Sequence, residues 1–198
     1  VQAVNQALRR VPSWVVYPLG LLPFLWLVFR GVTGDLGVDP VKEVEHSLGL
    51  TALQFILGGL VITPLRWLTG INLIRYRRAV GLVAFFYACL HLLVWLVLDI
   101  QLRWGEIWSD LVRRPYIAIG MVALLILIPL AVTSNTASIR KLGKNWVKLH
   151  RMVYVVAILG AVHFLMVVKA WPTEPLIYLA LSVLLVGFRL YHLFVVRG

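Results

Sequence analysis

Six apolar stretches, each close to the length of a bilayer crossing, constrain this chain more than anything else in it. They run over Trp14–Phe29, Leu48–Leu68, Ala79–Leu98, Tyr116–Val132, Leu149–Val168 and Pro175–Val196. About 20 residues at about 1.5 Å each cover the roughly 30 Å of hydrocarbon in a membrane. Segments of that length must be helices, because a lone strand leaves its backbone unpaired in lipid and barrel strands are shorter. The expected fold is therefore an all-α integral membrane protein, a six-transmembrane-helix bundle occupying residues 1–198 as a single domain. With 61% hydrophobic and 14% charged residues, no water-soluble core of this size is a competing solution.

The first stretch is short and holds Pro18 and Pro23. A secretory signal is the alternative there, but RGVTGD behind it lacks a small-residue cleavage pattern, so an uncleaved span is expected. The longest connections, Arg30–Ser47 and Asp99–Pro115, contain DPVKEVEHSLG and GEIWSDLVRR, which read as short interfacial helices. The first of them opens after Asp39 with Pro40 at its first position. No internal repeat, linker or low-complexity tract is visible.

Charge gives the orientation. Thirteen of the nineteen Lys and Arg residues fall on one side of the predicted spans, among them Arg75, Arg77, Arg78, Arg140, Lys141 and Lys144. All eight acids fall on the other, with Arg30, Lys42, Arg103, Arg113, Arg114 and Lys169. The positive-inside rule then predicts that both termini are cytoplasmic. The formal charge of +11 reflects topology and anionic lipid, and no nucleic acid is implied. Trp14, Trp67, Trp104, Trp108, Trp146 and Trp171 lie near span ends, where interfacial aromatics belong.

Two ionisable residues sit deep in this apolar sequence. His91 is about 18 Å along the third span from its basic end, and His163 about 21 Å along the fifth, so the two share a level. An imidazole at such depth is a functional-site candidate, and two of them on separate helices suit the axial positions of a haem iron. Ala88 and Gly160, each one turn earlier on the same face, would leave room for a flat macrocycle or simply let the helices pack closely. The other readings of the pair are an interhelical hydrogen bond or a proton relay in a channel or transporter. His150, thirteen residues before His163, lies off that face on a regular helix and needs a bend to share its slot. Its open roles are a second haem, a propionate contact, another redox cofactor, or an ordinary interfacial position. His46 reads as structural or a partner contact, and His192 as a surface residue.

Cys89 is the only cysteine, which excludes disulfides, thiolate clusters and covalent haem attachment. There is no Walker loop, no dinucleotide fingerprint and no Ser/His/Asp arrangement.

The runs GLLPFLWLV, DPVKEVEHSLGLTAL, ITPLR, RRAVGLVAFFYACLHLL, RRPYIAIG and RKLGKNWVKLHRMVYVVAILGAVHF, in this order across nearly the whole chain, resemble the MsrQ (YedZ) family of the bacterial inner membrane. Members of that family are haem-binding membrane subunits of bacterial periplasmic methionine sulfoxide reductase systems. More distantly the chain is similar to the ferric reductase-like transmembrane domain of NADPH oxidases and metalloreductases. The resemblance implies a membrane cytochrome b that carries electrons from the quinone pool or a cytosolic flavin reductase to a periplasmic molybdopterin-containing methionine sulfoxide reductase, in repair of oxidised proteins. It implies haem b and FMN as cofactors, His91 and His163 as axial ligands, and His150 as a third haem-associated residue. Where NADPH oxidases carry a second histidine on the third span, this chain has Arg77, so one haem is expected and a second is open.

Several further expectations follow. The chain stops where its sixth helix leaves the membrane, without the nucleotide-binding domain of an oxidase, so its electrons should come from a partner. The Asp35, Asp39, Glu43 and Glu45 surface is a candidate docking face. The basic cluster from Arg75 to Lys144 is a candidate for propionates or a flavin phosphate. The rival redox reading is a quinol-oxidising cytochrome b anchor of another complex.

Overall fold

A computed structural model describes residues 1–168, 170 and 172–192. Lys169, Trp171, Arg197 and the end of the sixth expected span lie outside the described residues. The described chain is all-helical, with α1 over Gln2–Arg10, α2 over Val16–Val32, α3 over Pro40–Thr69, α4 over Arg77–Val94, α5 over Trp104–Arg113, α6 over Pro115–Val132, α7 over Thr136–Leu142, α8 over Lys144–His150, α9 over Val153–Val167 and α10 over Thr173–Tyr191. Six segments are long and apolar enough to cross a membrane: Ser13–Val32, Pro40–Thr69, Ile74–Asp99, Pro115–Val132, Lys144–Val167 and Thr173–Tyr191.

One expectation about the connections changes. The DPVKEVEHSLG segment is no separate interfacial helix but the first turns of α3, a continuous 30-residue element. At about 1.5 Å per residue α3 exceeds the hydrocarbon thickness, so its acidic end extends past the hydrocarbon or the helix tilts. Its start is set locally: Asp39 accepts a hydrogen bond from the backbone N–H of Lys42 at 3.1 Å, and Pro40 fills the first position. GEIWSDLVRR forms α5 as expected. The fifth span is interrupted at Arg151 and Met152, which separates α8 from α9.

α3 is the axis of the bundle. Leu53, Ile56, Leu57 and Leu60 on it pack against Ala84, Ala123, Leu127, Val156, Ala157 and Val186 from four other helices. Ala84, Ala157 and Ala161 are at most 1% exposed. Small side chains at these crossings let helix backbones approach where lipid offers no hydrophobic drive to association. The reverse face is apolar too: Leu22, Trp26, Leu125 and Leu184 project outward, as a lipid-facing surface requires.

α2 is attached by an unusual device. Pro23 opens its backbone ladder, and the buried hydroxyl of Tyr87 from α4 enters the gap, donating to the carbonyl of Gly20 at 2.7 Å and accepting from the N–H of Phe24 at 3.0 Å. Gly20 is required there, because a Cβ would stand 2.8 Å from Val83 Cγ1.

α1 lies across the loop between α3 and α4. Asn5 donates to the carbonyl of Gly70 and accepts from the N–H of Asn72, while Arg75 donates to the carbonyl of Arg9 and Tyr76 to that of Leu8. The last turn of α1 thus has its free carbonyls filled by side chains.

Candidate functional site

His91 on α4 and His163 on α9 come together. Their ring centroids are 6.0 Å apart and their planes cross at 82°. Each ring is fixed by the helix beside it. His91 Nδ1 lies 2.8 Å from the carbonyl oxygen of Glu45 on α3, and His163 Nδ1 lies 2.7 Å from that of Tyr116 on α6. A carbonyl only accepts, so Nδ1 must carry the hydrogen in both rings. In a neutral imidazole the lone pair then sits on Nε2, at the edge turned away from the anchoring helix.

The rings can come this close to a helix backbone because each faces a glycine. One turn on from Glu45 is Gly49, where a Cβ would stand 3.0 Å from His91 Nδ1 and Cε1; one turn on from Tyr116 is Gly120, where it would stand 2.9 Å from the same atoms of His163. Neither glycine is distinguished by its local sequence. The signal that could have found them is their spacing: Gly49 and Gly120 are 71 residues apart, and His91 and His163 are 72.

The same offset runs through the walls of the cavity between the rings. Ala52 and Ala123, Leu53 and Leu124, Ile56 and Leu127 are pairs 71 apart on α3 and α6; Ala88 and Gly160, Leu92 and Phe164 are pairs 72 apart on α4 and α9. Two helix pairs, α3 with α4 and α6 with α9, therefore face one another with matched linings. No repeat is visible at the level of sequence identity, yet the site is built as one.

The cavity measures about 480 Å³, within the roughly 300–1,000 Å³ of small-molecule and cofactor sites. Ala88 and Gly160 line it, as their positions one turn before the histidines predict. Its deep part is hydrocarbon, from Leu53, Ile56, Leu124, Leu127 and Val156; its mouth carries Lys42, Glu45, His46, Asp99 and Arg114. His46 is thus a lining residue, tilted against Phe164 at 5.5 Å.

These donors suit one kind of ligand. Among the described residues no group of three or more His, Cys, Asp or Glu is placed to hold a bare metal ion. Two imidazoles bound on opposite sides of one metal, at bonds of about 2 Å, put their centroids about 6 Å apart. Two imidazoles in an apolar slot, with no further donors beside them, fit a metal that arrives inside its own planar ligand.

His150 is not brought to this cavity. It lies at the basic end, its ring stacked on Trp146 at 3.9 Å, with Nε2 3.0 Å from Thr133 Oγ1. The Trp146 indole N–H donates to the carbonyl of Thr133 at 2.9 Å. The interruption at residues 151 and 152 does not turn His150 toward His163; it lets the α8 side chains seat against the end of α6. His192 is no plain surface residue either. It stacks on Trp67 at 3.5 Å, with Nδ1 buried.

Both charged faces lie apart from the deep part of the cavity. None of the basic set Arg75, Arg77, Arg78, Arg140, Lys141 and Lys144 lines the cavity. Among the described residues, six of the eight acids are engaged in ion pairs: Asp35 and Glu43 with Arg30, Glu45 and Asp99 with Lys42, Glu106 with Arg103, and Asp110 with Arg114. Arg30 and Lys42 each meet two of these acids, so the pairs leave the face with an excess of carboxylate.

The bundle and its histidine-lined cavity define a membrane protein of the ferric reductase kind, and residues 46–161 match the family described as ferric reductase like transmembrane component. Curated protein-methionine-sulfoxide reductase heme-binding subunits MsrQ from Brucella ovis, Brucella canis and Brucella suis are each 53% identical to it over 177 residues, covering 89% of this chain and 80% of theirs. The chain belongs to the MsrQ family. No solved structure matches it.

Proposed function

We propose that this protein is a membrane cytochrome b that accepts electrons on its basic, cytoplasmic side and passes them to a periplasmic, molybdopterin-containing methionine sulfoxide reductase. His91 and His163 are the axial ligands of one haem b. The observation that carries the reading is the imidazole pair: two rings at metal-bridging separation, each with Nδ1 occupied by a backbone carbonyl, so that Nε2 remains as donor. The same anchoring disfavours a proton relay, which would need both nitrogens of each ring free to exchange. Haem iron ligated by two imidazoles supplies a one-electron couple and offers no open position to substrate.

The chain's own residues set the conditions for that couple. Glu45 and Tyr116 hold the rings through their carbonyls, and Gly49 and Gly120 let the rings seat. The Leu and Ile lining excludes water. His150, with Trp146 and Thr133, is assigned to contact with a second redox cofactor at the basic end. FMN, and a donor that is the quinone pool or a cytosolic flavin reductase, follow from the family resemblance.

The test is a reduced-minus-oxidised visible spectrum of the purified protein with a pyridine haemochrome count. One haem per chain is expected. His91→Ala and His163→Ala each remove it, while His150→Ala keeps most of it. A colourless protein, or haem lost in His46→Ala and retained in His91→Ala, overturns the assignment. For the acceptor, haem prereduced in membranes should reoxidise on addition of the periplasmic reductase with methionine sulfoxide; haem that stays reduced removes that partner.

A further inference from the structure

We infer that Lys42 and Arg114 bind the two carboxylates of the porphyrin at the mouth of the cavity, so that the haem stands with its propionate edge toward the acidic face. This rests on the haem reading above and adds to it an orientation and two binding residues.

The cavity is polarised along its length, with charged side chains gathered at the mouth and only hydrocarbon at the deep end. An amphipathic macrocycle with two carboxylates on one edge has one low-energy way to enter such a space. Buried in the deep end, its carboxylates would be unpaired charges in an apolar medium, which is costly. At the mouth they meet cations.

The two cations stand where they are needed, one on each wall. Lys42 lies one turn before Glu45, whose carbonyl anchors His91; Arg114 lies two residues before Tyr116, whose carbonyl anchors His163. Each wall therefore presents the same order along its helix: cation, ring-anchoring carbonyl, glycine. Arg114 is within one residue of the place that the 71-residue offset assigns to Lys42.

Both cations keep capacity for a further acceptor. Lys42 Nζ contacts Asp99 at 2.8 Å and Glu45 at 3.0 Å, and an ammonium carries more donors than two carboxylate contacts occupy. Arg114 meets Asp110 through Nε at 3.2 Å, the inner corner of a fork whose terminal groups suit a carboxylate. The competing acids hold both side chains over the mouth. The basic cluster at the far end lines no part of this cavity and is excluded from the role.

The experiment pairs side-chain changes with a cofactor change. Full-length wild type, Lys42→Gln, Arg114→Gln and the double variant are loaded with haem b or with its dimethyl ester, whose carboxylates are blocked. Loss of cofactor to excess apomyoglobin is then followed by absorbance. Wild type should release the ester at least tenfold faster than haem. In the double variant the two should leave at nearly equal rates, because the partners of the carboxylates are gone. Lys42→Arg should restore most of the difference, and Arg103→Gln, on the same face but not lining the cavity, should leave it intact. Equal release of the two cofactors from wild type, or an undiminished difference in the double variant, overturns the inference. Failure of the haem reading itself looks different: there, His91→Ala and His163→Ala would retain haem.

Discussion

Gly120 lies flat against the imidazole of His163, so close that a single added methyl carbon would stand 2.9 Å from Nδ1 and Cε1. Gly49 and His91 repeat the relation. Gly49→Ala and Gly120→Ala should therefore each push a ring off its carbonyl, at an overpacking cost of about 1–3 kcal/mol. About tenfold weaker haem retention corresponds to the lower half of that range. Haemochrome counts on purified variants check it, with Gly58→Ala and Gly81→Ala, where a Cβ meets nothing within 4 Å, as neutral comparisons.

Tyr87 holds α2 to the bundle through one hydroxyl. Tyr87→Phe leaves the opened ladder around Pro23 without its bridge and should cost about 1–3 kcal/mol. Thermal denaturation in detergent reads the loss. The haem spectrum should not shift, because Tyr87 contacts Gly20 and Phe24 and is absent from the cavity lining.

Asn5 clips α1 to the turn before α4 with two hydrogen bonds, at 3.0 and 2.9 Å. Asn5→Ala should speed amide exchange across residues 2–10 several-fold, consistent with about 0.5–1.5 kcal/mol per bond. Exchange in α4 should be unchanged, as should haem content.

Orientation is checked with single cysteines in a Cys89→Ala background. Val38 is fully exposed in the loop before α3, and Lys141 is exposed at the opposite end. In intact cells an impermeant maleimide should label Val38→Cys and leave Lys141→Cys untouched until the membrane is opened. The reverse pattern inverts the topology.

Hydropathy made the helices legible because crossing a bilayer demands length and apolarity, both local properties of the chain. Depth along those helices was enough to bring His91 and His163 into one site. What stayed hidden depended on partners far apart in sequence. The anchors of both rings are backbone carbonyls, which have no sequence signature. Gly49 and Gly120 look like any small residues at a helix crossing, since only the imidazole facing each one distinguishes it. The ion pairs of the acidic surface stayed hidden for a related reason: Lys42 reaches Asp99 across 57 residues, and that pairing is invisible to a count of charges. DPVKEVEHSLG carries a good helix start but no stop, so it fused with the span after it.

The matched halves of the cavity leave the centre without a front or a back. α3 and α6 run the same way through the bundle and hold the two rings by the same device, so the two sides of anything clasped between them are near equivalents. A centre of that kind has no preferred sense of traffic in its own ligands. Any difference between its inward and outward sides must reside above and below it, in the contrast between the Lys42 and Arg114 rim and the Trp146–His150 stack at the other end.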